Sequence, residues 1–137
     1  MKIARLAGFM LALCAACAQA APVSDTDFEL GRLYRNGIGV ERDSARAFAL
    51  IARGANGGHA AAMFILSAML AAGEGAPTDV ALARRYLEAA AELELPEAMQ
   101  QLEMNLREGA PGFERDEARA ATLMNKVAHA MRHRHHH

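Results

Sequence analysis

Tryptophan is absent, and aromatic residues make up only 5% of this 137-residue chain. Proline occurs four times, and no cysteine follows Cys17. A sheet draws on aromatic and β-branched residues, so their shortage argues against one. An excess of positive charge is also missing. Fifteen Lys and Arg face 16 Asp and Glu, a formal charge of −1. Without Lys2 and Arg5 the balance is 13 against 16, or −3. That excludes the basic footprint of a nucleic-acid binder. A membrane-spanning run is lacking too, because the apolar stretch at residues 6–16 has 11 residues and a bilayer needs about 20. What the chain does have is alanine, 32 copies of it, within a composition that is 53% hydrophobic and 23% charged. Such a chain folds as one domain of closely packed helices.

The first twenty residues read as an address. Lys2 and Arg5 precede the apolar run, and Ala18-Gln19-Ala20 places small residues at the −3 and −1 positions of a cleavage site. This is the layout of a secretory signal peptide at residues 1–20. The expected location is therefore exported, periplasmic or secreted. The competing possibility is lipid anchoring at Cys17, although Cys14 stands where such motifs usually carry Leu. Cleavage after Ala20 removes both cysteines and leaves stability to packing alone.

Beyond the leader the chain repeats itself. Gly37, Gly39, Asp43 and Ala47 recur 36 residues later as Gly73, Gly75, Asp79 and Ala83. Leu30 recurs as Leu66 and Leu102. A third copy brings Gly109, Gly112, Asp116 and Ala120, with one extra residue near Pro111. Residues 39–47 and 112–120 agree at seven of nine positions. A fixed period with Gly and Asp landmarks is the mark of a repeat array. The repeats run over about 26–58, 59–95 and 96–131, within a domain at 21–132 that ends in a His-rich tail at 133–137.

Each copy reads as two helices, A and B. In the middle copy, helix A is expected over residues 58–70 and helix B over 80–91. Gly73 ends helix A, since glycine tolerates the left-handed conformation found there. Thr78 or Asp79 caps helix B, and Asp43 and Asp116 do so in their copies. Ser24 is expected to cap the first helix A. Pro96 suits the first turn of the third, where a missing N–H is harmless. Ala47, Ala83 and Ala120 let neighbouring helices approach.

The unit Leu30-Gly31-Arg32-Leu33-Tyr34-Arg35-Asn36-Gly37-Ile38-Gly39-Val40, followed by Asp43 and Ala47, resembles the Sel-one-like repeat, a relative of the tetratricopeptide repeat. The resemblance covers about residues 26–131. It implies an all-α fold: an α-solenoid of three stacked antiparallel helix pairs, a tetratricopeptide-like superhelix. It also implies a non-enzymatic adaptor that binds a protein or peptide partner through its A helices. Departures fall mainly in later copies, where Leu30-Gly31 becomes Leu66-Ser67 and Leu102-Glu103. The third copy is the natural cap of the array.

The middle helix A is apolar nearly all round. One reading buries it between its neighbours. The other exposes Met63 and Ile65 in an apolar groove, with Phe64 in the core. Around that groove Glu29, Arg32 and Arg35 from the first copy, and Gln101 and Arg107 from the third, form a candidate polar rim. Each is also readable as a solvated helix face.

Catalytic chemistry finds little support. After residue 20 the chain has Ser24, Ser44 and Ser67 and no cysteine. His59 and Ser67 lie eight positions apart, about 12 Å along a helix axis. No Lys-Ser/Thr follows the glycines as a phosphate loop requires. The expectation is no enzyme, no cofactor and a monomer, with an envelope hydrolase as the remote alternative. Five of six histidines fall in the last nine residues. His129 and His133 are four apart, at metal-ligand spacing on one helix face, and His136 or His137 is available to join them. A metal-binding or sensing role for this tail is the alternative function.

Overall fold

The computed structural model describes residues 23–134. The expected cleavage site at Ala20, the anchoring alternative at Cys17, and His136 and His137 lie outside the described residues. The described residues form six helices and no strand: α1 (Val23–Asn36), α2 (Ser44–Asn56), α3 (Ala60–Ala72), α4 (Val80–Glu92), α5 (Pro96–Glu108) and α6 (Glu117–Arg134). None of them is long and apolar enough to cross a membrane. They pair as α1·α2, α3·α4 and α5·α6, and α2 packs on α3 as α4 packs on α5. Each helix therefore leans on its chain neighbours, the arrangement of an all-α solenoid of stacked helix pairs.

Local chemistry sets the boundaries. Asp43, Asp79 and Asp116 each accept a backbone N–H three residues on, at 3.0, 3.0 and 2.9 Å. One backbone bond closes every A–B hairpin: Asp43 N to Tyr34 O, Asp79 N to Leu70 O and Asp116 N to Leu106 O, at 3.0, 3.0 and 2.8 Å. Gly73 and Gly109 end α3 and α5 in the left-handed region. Pro96 occupies the start of α5. Helix α1 already includes Val23, so Ser24 stands inside its first turn and does not cap it. Helix α3 starts two residues later than its pattern suggests, because His59 caps it: Nδ1 accepts from Ala62 N at 3.1 Å.

Two apolar clusters form the core. The first joins Phe28, Ala47, Ile51, Ala55, Leu66 and Met69, among others. The second joins Leu87, Ala90, Ala98, Met99, Leu102 and Val127. The alanines at the repeat position are buried throughout, with Ala47, Ala83 and Ala120 at 0%, 5% and 2% exposure. Where α1 crosses α2, a Cβ on Gly31 would sit 2.6 Å from Ile51 and 3.3 Å from the Ala47 carbonyl. The counterpart of Gly31 is Ser67, and its hydroxyl donates to the equivalent carbonyl, that of Ala83, at 2.8 Å. The Leu-Ser departure thus preserves the close helix crossing by hydrogen bonding.

Candidate functional site

The array has two junctions, one between copies one and two and one between copies two and three. They are built from corresponding positions and end up different. The first is closed. Arg35 in the last turn of α1 donates from Nε and Nη2 to the Glu74 carboxylate, at 3.0–3.3 Å. Those hydrogen bonds hold the Glu74 carboxyl below the usual glutamate range, partial burial opposing them. The Arg32 guanidinium lies 5.9 Å from the Phe28 ring centroid and also pairs with Glu29 at 2.8 Å. Beneath this cover sit Met69, fully buried, and the half-buried Phe48 and Ile65.

At the second junction Ala68 and Ala71 stand in place of Arg32 and Arg35, and Ala110, followed by the extra residue Pro111, in place of Glu74. Arg84 replaces Phe48, Gln101 replaces Ile65, and Asn105 replaces Met69. What remains is an open groove of about 300 Å³ between α3, α4, α5 and the α5–α6 loop. Phe64, Val80, Leu87 and Phe113 contribute its apolar walls, with Ala68 and Ala71 at its mouth. Its polar groups are few. Gln101 Nε2 donates to Asn105 Oδ1 at 3.0 Å. Arg84 lies over Phe113 at 5.5 Å, donates to the Gly112 carbonyl at 3.2 Å and meets Glu88 at 3.4 Å.

Of the candidate partner-binding residues Glu29, Arg32, Arg35, Met63, Ile65, Gln101 and Arg107, Gln101 alone lines this groove. Met63 packs against both core clusters and Ile65 against the first. Phe64, assigned to the core by pattern, lines the groove instead while packing against the second cluster. The rim residues do not form one ring: Glu29 pairs with Arg32, Arg35 with Glu74, and Arg107 with Glu103 on its own helix. Sequence reasoning passed over Phe64, Ala68, Ala71, Arg84 and Asn105. Subtracting the first copy from the second and third exposes the last four, because each is smaller or more polar than its counterpart, whereas Phe64 repeats Phe28 and gives no such signal.

The tail histidines do meet. His129 and His133 stand on α6 with their Nε2 atoms 3.1 Å apart. Among the described residues no third ligand joins them. Elsewhere the catalytic residue types have structural employment. The Ser67 hydroxyl is bound to Ala83, and His59 caps α3 while stacking on Phe28 at a 4.3 Å centroid distance.

Three copies of a helix pair, closed by the same hairpin bond and capped by the same aspartate, define a tetratricopeptide-like solenoid. The Sel1 repeat model matches residues 25–59 and 60–95, and the chain belongs to that family. Sel1 repeats generally mediate protein–protein interaction. The fold is similar to that of a Sel1 repeat protein from Oxalobacter formigenes, with a TM-score of 0.74 and 25% identity over 77% of this chain and 43% of that one. It is also similar to c5321, a protective antigen present in uropathogenic Escherichia coli strains that displays an SLR fold. There the TM-score is 0.72 and the identity 30%, over 78% of this chain and 23% of that one. The chain thus spans less than half the length of either structure. No curated protein matches the sequence.

Proposed function

We propose that this domain is a non-catalytic docking module, exported from the cytoplasm, that holds a segment of a protein partner in the groove at its second junction. One observation carries the reading: the site closed by Arg32, Arg35 and Glu74 at the first junction is left open by Ala68, Ala71 and Ala110 at the next. Apolar walls with a few convergent polar groups are what a ligand site requires. The absence of a catalytic role is supported by the structural duties of Ser67 and His59. Export is supported by the tripartite N-terminal sequence.

The test restores the missing cover. Ala68→Arg with Ala71→Arg should abolish capture of a partner by a photo-crosslinker placed at the exposed Pro111 of the α5–α6 loop, while leaving the helical signal intact. A crosslinker at Ala45, on the exposed face of α2, serves as the control. Equal capture by the doubly substituted and native proteins would refute the groove. Mass spectrometry of the mature N-terminus tests export: a start at Ala21 is expected, a start at Cys17 would mark the lipid-anchored form instead, and a chain that keeps Met1 would refute export.

A second reading rests on the approach of His129 and His133: capture of a divalent transition metal by the histidine-rich C-terminus. Two imidazoles at this spacing supply half of a tetrahedral site. Calorimetric titration with zinc should show micromolar binding that His129→Ala removes. Unchanged heat in that variant would discard it.

A further inference from the structure

We propose that the second-junction groove selects an extended peptide segment carrying one large apolar side chain beside an aspartate or glutamate. The inference rests on the docking reading above and adds the chemistry of the occupant.

The apolar anchor follows from comparing the junctions. In the first, Arg32 covers the Phe28 ring, and Phe48, Ile65 and Met69 pack beneath. In the second, Phe64 keeps the place of Phe28, but the covering arginines are the exposed Ala68 and Ala71. About 300 Å³ stays open against Phe64, Leu87 and Phe113. That space accepts one large apolar side chain with its adjoining backbone.

The extended conformation follows from Gln101 and Asn105. They stand one helical turn apart, a rise of about 6 Å. Alternate residues of an extended chain repeat at about 6.6 Å. With Gln101 Nε2 donating to Asn105 Oδ1, the glutamine carbonyl still accepts and the asparagine amide still donates. Two carboxamides at that pitch match the alternating N–H and C=O groups of a backbone. Ile65 and Met69 offer nothing comparable at the first junction.

The acidic neighbour follows from charge. Arg84 is the one charged side chain among the lining residues. Its carboxylate partner Glu88 is shared with Arg119, at 3.4 and 3.3 Å. Sharing that carboxylate leaves the Arg84 guanidinium only partly neutralised, so a ligand carboxylate is favoured beside it over an ammonium.

The experiment uses the whole chain and fluorescein-labelled, acetylated and amidated peptides. Each carries one leucine in a serine–glycine background, flanked by aspartate or by lysine. Amidation ensures that any carboxylate effect comes from the side chain. Fluorescence anisotropy should show the aspartate peptide binding about fivefold tighter, the scale of one exposed charge pair. The preference should fade at about 1 M salt, where the Debye length falls to about 3 Å. Arg84→Gln should erase it, and Arg119→Gln, which lies outside the lining, should reduce it, because Glu88 then pairs with Arg84 alone. Ala68→Arg with Ala71→Arg should weaken both peptides at least tenfold. Equal binding of the two peptides, or a preference that survives Arg84→Gln, overturns the proposal and spares the docking reading. Failure of both peptides, with partner crosslinking still lost in the doubly substituted protein, does the same. Undiminished peptide binding and crosslinking in that protein overturn both.

Discussion

The two junctions share a backbone plan and differ in what fills them. At the first, Met69 is wholly buried and the Arg35–Glu74 pair closes the mouth. At the second, Asn105 occupies the place of Met69, and the corresponding mouth residues are Ala71 and Ala110. The first junction is a core, and the second is a core with its lid and part of its filling withheld. Repeat arrays gain their stability from nearest-neighbour contacts. A binding groove is therefore obtained locally by weakening one such contact while the rest of the array holds its shape.

That contrast is open to direct attack. The largest effect belongs to the filling. Met69→Asn places an unpartnered amide in the closed junction and should cost about 3 kcal/mol by urea unfolding. The mirror substitution, Asn105→Met, should stay within about 0.5 kcal/mol of the native protein, since the site is partly open to water. Equal costs would erase the distinction between the junctions.

Next come the glycines that bring each A–B loop against helix B of the preceding copy. A Cβ on Gly75, at φ 77°, would lie 2.2 Å from the Ser44 carbonyl oxygen. The corresponding obstacle for Gly112 is a side-chain carbon of Val80 at 2.6 Å. Backbone yields less readily than a side chain. Gly75→Ala should cost about 3 kcal/mol and Gly112→Ala about half that, both including the strain of positive φ. Denaturation midpoints of the two variants provide the check, and the reverse order would contradict it.

A smaller effect lies at the turns from B to A. Gly58, at φ 92°, leads into α3, whereas Glu94 takes the left-handed conformation at φ 59° before α5. Glu94→Gly should stabilise the protein by about 1 kcal/mol, because glycine adopts that conformation without steric cost. A thermal melt shows the gain as a rise in Tm.

The smallest concerns pH. Arg35 lowers the folded-state pKa of Glu74, so the pair's contribution is fully present above the unfolded pKa. It is lost as pH falls through the lower, folded value. Glu74→Gln should accordingly flatten the acid limb of the stability curve and leave the neutral-to-alkaline part parallel to that of the native protein. No such pair exists at the second junction, where Ala71 and Ala110 stand in place of Arg35 and Glu74. An unchanged acid limb in Glu74→Gln would mean that the pair does not contribute as described.

Much of this architecture is legible one residue at a time. The aspartates that cap each helix B, the glycines that end α3 and α5, and Pro96 at the start of α5 all act through atoms a few residues away. The groove is not legible that way. Along α3, from Ala60 to Ala72, Ser67 is the sole polar residue. A helix without a polar face offers nothing to fix its rotation. Met63, Phe64 and Ile65 point in directions about 100° apart, and the pattern gives no reason to prefer one as the groove residue. Rotation is settled by the neighbours: Met63 is held between the two clusters, which turns Phe64 toward α4 and the α5–α6 loop.

By itself the amino-acid order determined the helix pair, its capping, its turns and its threefold copying, because those depend on hydrogen bonds and backbone conformations within a short stretch of chain. The tertiary structure decided which copies close upon each other and which leave a space. That space is what remains after side chains from three helices and a loop have packed, and no segment read alone contains the volumes of the others.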